Sequence, residues 1–354
     1  MDTRPTTRPQ PDTPTCSRRD ILRSAAAFAG TVAAAYLTTH IDAVATSTGD
    51  IPRRALGATG AQVSILGVGG AHFIRQSTEE GVRLVHEALD EGVNFFDNAW
   101  EYNRTRSESV MGTALKGKRD RAFLMTKVCT HGRNKAVAMR QLEQSLRRLQ
   151  TDYLDLWQIH EVNCADDPAS LFTRDAVTEA LLEAQRQGKV RFIGMTGHKD
   201  PTVFTRVLAQ GFPFETCQLP LNPFDASFDS FERLVLPELQ RQRIAPIAMK
   251  TLCGRGEPVT RGILTVEEGL RYAWSLPVAT VVSGMDRREH LRHNIACARR
   301  FTPYTADEMQ ALRARVASHA DGRFEYYKTG PSRHCDRTAA VEFLETLDAE
   351  TDKP

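Results

Sequence analysis

The chain has 354 residues, charged residues at 25%, hydrophobic residues at 41% and a formal net charge of +2. That is ordinary globular composition, long enough for one large domain or two smaller ones, and it carries no basic field suited to nucleic acid or an anionic membrane. Beyond the N-terminal segment no apolar run reaches about 18 residues, so no spanning helix is expected there.

The first 45 residues differ in kind from the rest. Met1 to Thr15 is rich in Thr, Pro and Arg and has too few apolar groups to pack. Ser17-Arg18-Arg19-Asp20-Ile21-Leu22-Arg23 leads into the uncharged, alanine-dominated SAAAFAGTVAAAYLTT, and Ala43-Val44-Ala45 supplies the small residues a signal peptidase accommodates. A basic region, an apolar region and an A-x-A site in that order read as an export signal cut near Ala45. The paired arginines ahead of Ile21 and Leu22 resemble the twin-arginine type. The alternative is a basic, alanine-rich N-terminal helix. The export reading makes residues 1–45 a leader handed to the twin-arginine translocation machinery, and places the mature protein in the periplasm or outside the cell.

From Ala61 two kinds of segment alternate. QVSILGVGG is a short apolar run ending in glycines, hence a buried strand. TEEGVRLVHEALDEG sets Val82, Val85, Ala88 and Leu89 on one helical face, opened by Thr78 with acids in the first turn. The pair recurs as VNFFDNA with SESVMGTALKG, which Gly117 stops, and as AFLMTKV with VAMRQLEQSLRRLQ. YLDLWQIH precedes AVTEALLEAQRQGK, and VRFIGMTGH precedes PTVFTRVLAQG. TCQLPLN precedes SFERLVLPELQRQR, APIAMKTL precedes TVEEGLRYAWSL, and ATVVSGM precedes REHLRHNIACARR. Strands alternating with helices require parallel pairing. Eight units over roughly 240 residues match a (β/α)8 TIM barrel, spanning residues 46–304, better than an open doubly wound sheet. Residues 305–354 read as a C-terminal helical appendage, within which DGRFEYYKTG can lie back on the barrel.

Cys16 falls in the leader, leaving Cys129, Cys164, Cys217, Cys253, Cys297 and Cys335, all widely separated and without a C-x-x-C. No zinc or iron–sulfur site is signalled, and no metal is expected. Isolated cysteines of this kind are small buried hydrophobes more often than cystines.

Catalytic groups of such a barrel lie at the C-terminal ends of its strands. Asp97 ends the second apolar strand and Tyr102 follows in the next loop; Lys127 ends the third strand and His160 the fourth. Each residue alone has a bland reading: a turn aspartate, a half-buried phenol, a solvated lysine, a core histidine. Their arrival on three successive strand ends is what points to chemistry. An ammonium beside a phenol favours phenolate and should lower the tyrosine pKa; Asp97 would hold that ammonium, and His160 can hydrogen-bond a substrate oxygen. The set suits protonation of an oxygen on which negative charge is building. Trp100 is placed to line the pocket, with simple packing as the alternative.

GVNFFDNAWEYNRTRSESVMGTALKG, FLMTKV and YLDLWQIHEV closely resemble the signature segments of the aldo-keto reductases, over about Ile51 to Arg300. The resemblance implies a (β/α)8 barrel using a nicotinamide cofactor, with Tyr102 as general acid, Lys127 and Asp97 tuning it, and His160 orienting the carbonyl. For the cofactor it implies Thr196 and Gln218 at the carboxamide, Lys250 and Gly254 at the phosphates, and Glu289 and Asn294 at the adenine. Gly197 stands where the family has Asn, with His198 as a substitute, and Leu221 where a tyrosine commonly stacks. Asp286 stands where a basic residue often meets the 2′-phosphate, but Arg287 and Arg288 adjoin it, so NADP(H) is favoured over NAD(H). The leading expectation is an NADP(H)-dependent oxidoreductase reducing an aldehyde or ketone, or oxidising an alcohol or sugar. The alternative is a nicotinamide-binding redox-sensor subunit, the role that potassium-channel β-subunits of the family resemble.

Overall fold

The strand–helix rhythm closes on itself. In the computed structural model, which describes residues 49–129, 134–332, 335 and 346–347, eight parallel strands form a barrel in the order β3-β4-β5-β6-β7-β8-β9-β10, with β10 pairing back to β3. The leader lies outside the described residues. The barrel strands are β3 Leu66–Gly69, β4 Phe95–Asp97, β5 Phe123–Val128, β6 Leu154–Ile159, β7 Val190–Thr196, β8 Thr216–Pro220, β9 Ala245–Met249 and β10 Thr280–Ser283. Their residues are buried almost without exception, as expected of strands covered on both faces.

Sequence periodicity treats QVSILGVGG as one strand, but the structure divides it. β1, Arg53–Ala55, pairs antiparallel with β2, Gln62–Ser64, and only Leu66–Gly69 enters the barrel. This hairpin lies under the strands' N-terminal ends. Its Leu56 and Val63 pack with Phe95, Phe123, Leu156, Ala245 and Ala279, which lie at or near the starts of barrel strands. Asn94 locks it there, accepting from the Ser64 amide at 2.7 Å.

The helices follow their apolar stripes. α1, Thr78–Asp90, buries Leu84, Val85, Ala88 and Leu89, with Val82 at the margin; its cap is Ser77, one residue before the expected Thr78, whose hydroxyl accepts from the Glu80 amide at 3.1 Å. Such a cap stabilises by about 1 kcal/mol. α2, Arg106–Leu115, and α3, Lys135–Leu149, come close because Gly112 has no side chain; a Cβ there would stand 2.7 Å from the Leu149 carbonyl carbon. The short α4, Asp167–Ser170, precedes α5, Val177–Arg186, and α6 is Pro201–Leu208. SFERLVLPELQRQR breaks into α7, Phe231–Leu234, and α8, Leu236–Gln242, at Pro237. A proline lacks the amide to continue a helix but is tolerated in the first turn of a new one. α9, Glu257–Thr260, α10, Val266–Ser275, and α11, Arg288–Arg299, complete the ring.

The appendage is α12, Ala306–Val316, followed by α13, Tyr326–Thr329. Its return stretch is anchored by Lys328, whose ammonium is fully buried 2.6 Å from Asp225 and 3.0 Å from Glu325 and also donates to the Phe228 carbonyl at 2.8 Å. Among the cysteines, Cys129, Cys217, Cys253 and Cys297 are buried free thiols. Cys164 and Cys335, expected to be isolated, instead form a disulfide with Cα atoms 5.3 Å apart, across a separation of 171 residues. Spacing along the chain carries no information about a pairing over that distance. The one described grouping with metal-ligand geometry, Cys164 with Asp166 and Asp167, has its sulfur committed to this cystine.

Candidate active site

Strand register brings the expected residues to one mouth. Asp97 pairs across from Gly69, and Lys127 stands opposite Gln158, two positions before His160. The Lys127 ammonium has three N–H groups and three acceptors: Asp97 Oδ2 at 2.5 Å, the Asn98 carbonyl at 2.7 Å and the Tyr102 hydroxyl oxygen at 3.5 Å. Because the phenol oxygen accepts from the lysine, its own proton is directed elsewhere. The His160 ring meets that of Tyr102 edge-on at 5.6 Å. Gln218 also donates to Asp97, at 3.1 Å.

The loop after β4 holds Tyr102 in a constrained turn. The Tyr102 amide donates to the Ala99 carbonyl at 3.1 Å, and Asn103, Arg104 and Thr105 all adopt left-handed backbone, with φ of 52°, 54° and 69°. Three consecutive non-glycine residues there are unusual, each costing about 1–2 kcal/mol, and such strain gathers at functional sites. The Ser107 hydroxyl donates to the Gly70 carbonyl and the Asn103 amide to Ser107 at 3.2 Å, pinning the turn. Glu108, fully buried, accepts from Thr126 at 2.6 Å and pairs with Arg148 at 2.7 Å. It thereby ties α2 and α3 to the residue before Lys127.

The electrostatics depart from expectation in one respect. Lysine proximity should lower the Tyr102 pKa, but burial raises it well above the ordinary tyrosine range, and the Asp97 and Glu101 carboxylates push the same way. Lys127 is committed at closer range to Asp97, so the phenol lies beside a neutralised pair rather than a bare cation. Tyr102 is therefore held in its protonated form, ready to donate.

Trp100 is corrected from pocket wall to packing. It is fully buried, its indole donates to Gln144 on α3 at 2.7 Å, and Arg148 lies over its ring. Two mouth residues went unnoticed in the sequence. Glu101 sets Oε1 2.5 Å from His160 Nδ1. His72, after β3, has its pKa lowered to about 4 by burial and then by the charges of Arg75 and Lys250, with Asp286 and Asp97 opposing.

The residues implied for a cofactor divide into two groups. At the ring end the chemistry of a nicotinamide fits. Gln218 keeps a buried Oε1 without a partner among the described residues, an acceptor for a primary amide, and Thr196 ends β7 with a buried side chain. Gly197 cannot be the family's asparagine, since a Cβ there would stand 2.5 Å from the Val162 carbonyl oxygen and 3.0 Å from Asn163 Oδ1. Asn163 instead accepts from the His198 and Lys199 amides at 2.9 and 3.2 Å. His198 is held neutral, its pKa pushed down by burial and then by Lys250 and His160. Leu221 is core.

At the phosphate end the fit is incomplete. Lys250 supplies an ammonium whose pKa falls to about 8 through burial and the charge of Lys127. It lies 5.0 Å from the centre of the Tyr327 ring. The space that Gly254 leaves is taken by Tyr326, whose Cζ is 2.6 Å from where a Cβ would be. Tyr327 fills the gap beside it, its hydroxyl bonding to Glu325 at 2.8 Å and accepting from Asn222 at 3.2 Å. The Tyr326 ring thus packs directly on the face of Gly254. Further out, Arg288 is engaged by Glu80 and Glu87 of α1, Arg287 is half-exposed beside Asp286, Glu289 is exposed, and buried Asn294 donates to Ser283 at 3.0 Å.

Comparison with known proteins agrees with this geometry. The profile of the Aldo/keto reductase family matches residues 65–256. The chain is 30% identical over 248 residues to aldo-keto reductase YhdN of Bacillus subtilis, covering 66% of this chain and 67% of that one. The holo form of aldo-keto reductase AKR11C1 from Bacillus halodurans superposes with a TM-score of 0.64 at 25% identity, over 77% of this chain and 99% of the other. An aldo/keto reductase from Klebsiella pneumoniae, solved in complex with NADP and acetate, superposes at 0.59 with 25% identity, over 73% and 93%. The closed eight-stranded barrel, the converging side chains at its mouth and the match over residues 65–256 together make this chain a member of the aldo/keto reductase family, an oxidoreductase acting on carbonyl and alcohol groups.

Proposed function

We propose that the chain is an NADP(H)-dependent reductase of an aldehyde or ketone, able to run in reverse on an alcohol or sugar, with Tyr102 as general acid. The observation that carries this reading is the Lys127 ammonium bridging Asp97 at 2.5 Å and the Tyr102 hydroxyl at 3.5 Å, with His160 against the same phenol. Reduced nicotinamide, when bound, supplies the hydride that attacks the carbonyl carbon. Tyr102 holds the proton that the oxygen takes up, His160 orients that oxygen, and Lys127 and Asp97 fix the phenol. Gln218 and Thr196 would hold the carboxamide, and Lys250 the diphosphate. Preference for NADP(H) is supported by the Klebsiella pneumoniae complex and by Arg287 beside the expected 2′-phosphate position.

Replacing Tyr102 with Phe tests the assignment. Oxidation of NADPH by a panel of simple aldehydes should fall on the order of 10²–10⁴-fold, with NADPH affinity retained; turnover near the wild-type rate would remove Tyr102 from the role. The second reading is a nicotinamide-binding redox-sensor subunit. A wild-type protein that binds NADPH but turns over no carbonyl would select it.

Export by the twin-arginine route is part of the same proposal. The Cys164–Cys335 disulfide supports it, since cystines persist in oxidising compartments. Changing Arg18 and Arg19 to Lys should leave the protein in the cytoplasm, and unchanged secretion would refute the route.

A further inference from the structure

Glu101 and Tyr102 are adjacent in sequence yet reach the same site. A strand would send neighbours to opposite faces, but β4 ends at Asp97, and both residues lie in the following turn, where the Tyr102 amide bonds the Ala99 carbonyl and the Arg104 amide the Glu101 carbonyl. The consequence is a short contact to the other proton-bearing group of the mouth. Glu101 Oε1 is 2.5 Å from His160 Nδ1, and the two side chains are only 12% and 8% exposed.

We propose that Glu101 is the positioning residue for His160, holding its ring through the short carboxylate contact at Nδ1 so that Nε2 is presented to the substrate oxygen. The inference rests on the reductase reading above. A hydrogen bond with an ionised partner is roughly twice as strong as a neutral one, and screening by water is weak at this burial. A carboxylate at Nδ1 favours one tautomer: with the proton on Nδ1, neutral His160 leaves Nε2 as acceptor, and protonated His160 donates from Nε2. As negative charge grows on the substrate oxygen, the carboxylate stabilises the imidazolium that donates to it. The other groups around His160 do not perform this task. Tyr102 meets the ring edge-on, and His198, itself beside Lys250, is neutral and set against it from β7. Lys127 and Asp97 are spent on each other.

Glu101 also acts on Tyr102, since its charge helps to keep the phenol protonated. One carboxylate thus lies against both the phenol and the imidazole of the mouth. A purely structural glutamate would leave the protonation behaviour of His160 unchanged when replaced by an isostere.

The test uses Glu101→Gln and Glu101→Asp in the full chain, with kcat and KM for an aldehyde measured from pH 5 to 10, NADPH affinity by fluorescence, and the His160 ring signals by 15N NMR. Glu101→Gln should lower kcat on the order of 10–10²-fold, below the 10²–10⁴ that a proton-transfer group itself supplies, with NADPH affinity unchanged. It should move the His160 ring signals away from the pure Nδ1–H tautomer. Glu101→Asp should recover part of the rate. Unchanged kcat with unmoved His160 signals would overturn the proposal. A wild-type chain without carbonyl turnover would sink the reductase reading, while the NMR titration would still decide what Glu101 does to His160. If Glu101→Gln failed to fold, the same titration in Glu101→Asp would decide, because a shorter carboxylate at the wrong reach must alter the tautomer balance.

Discussion

Around Tyr102 every polar partner comes from β4, β5, β6, β8 or the turns they feed, and Lys127 reaches Asp97 across a separation of 30 residues. Around Gly254 the partners come from the far end of the chain: Asn222 meets Glu325 across 103 residues, and Lys328 reaches Asp225 across the same span. The first corner is a set of charges that satisfy one another within the barrel. The second is satisfied only because the appendage folds back, with Tyr326 packed on Gly254. A (β/α)8 scaffold thus fixes its strand-end chemistry firmly and leaves the outer rim open to whatever segment returns to it.

Four changes would separate the corners. Lys127→Met removes one partner of a buried pair and leaves Asp97 charged and unmatched, which should cost about 3–5 kcal/mol and abolish turnover. Denaturant melts and steady-state assays would read both; a fully active, fully stable variant would show that the first corner is ornamental. Breaking the cystine by Cys335→Ser should cost about 2–5 kcal/mol, seen as a lower melting temperature, while single-turnover rates at saturating NADPH stay within about twofold. A collapse of those rates would mean that the corners are coupled.

The third change is in pH. Burial raises the Asp225 carboxyl to about 7, against the opposing pull of Lys328. A group raised above its unfolded value contributes stability that is fully present below about pH 4 and is lost as pH rises through about 7. The Asp225 contribution should therefore fade between those limits, and Asp225→Asn should remove that part of the slope in a series of melts. An identical slope in both proteins would place Asp225 outside the titration. Smallest in effect, Tyr326→Ala should tighten NADPH binding by about tenfold, equivalent to roughly 1.4 kcal/mol, in a fluorescence titration. Weaker binding would make Tyr326 part of the cofactor's seat rather than a competitor for it.

The barrel and the Asp97, Tyr102, Lys127 and His160 set were legible because each depends on a pattern confined to one strand: an apolar run with a polar residue at its end. Glu101 was hidden between two aromatic neighbours, in a turn after β4 that periodicity does not reveal. The rise in the Tyr102 pKa could not be read either, because it depends on depth and on how completely Lys127 is matched by Asp97. The stations of Lys328 and Cys335 depend on contacts over a hundred residues or more, and that of Tyr326 on Gly254 far back in the chain, for which no local signal exists. Trp100 misled through proximity: two residues from Tyr102 in a turn is enough to face another helix.

The plug formed by β1 and β2 has a practical corollary. Because Leu56 and Val63 seal the floor of the barrel, the backbone at Ile51 starts from the side opposite the catalytic opening. A purification tag or fluorophore joined ahead of this hairpin is attached away from the substrate's path.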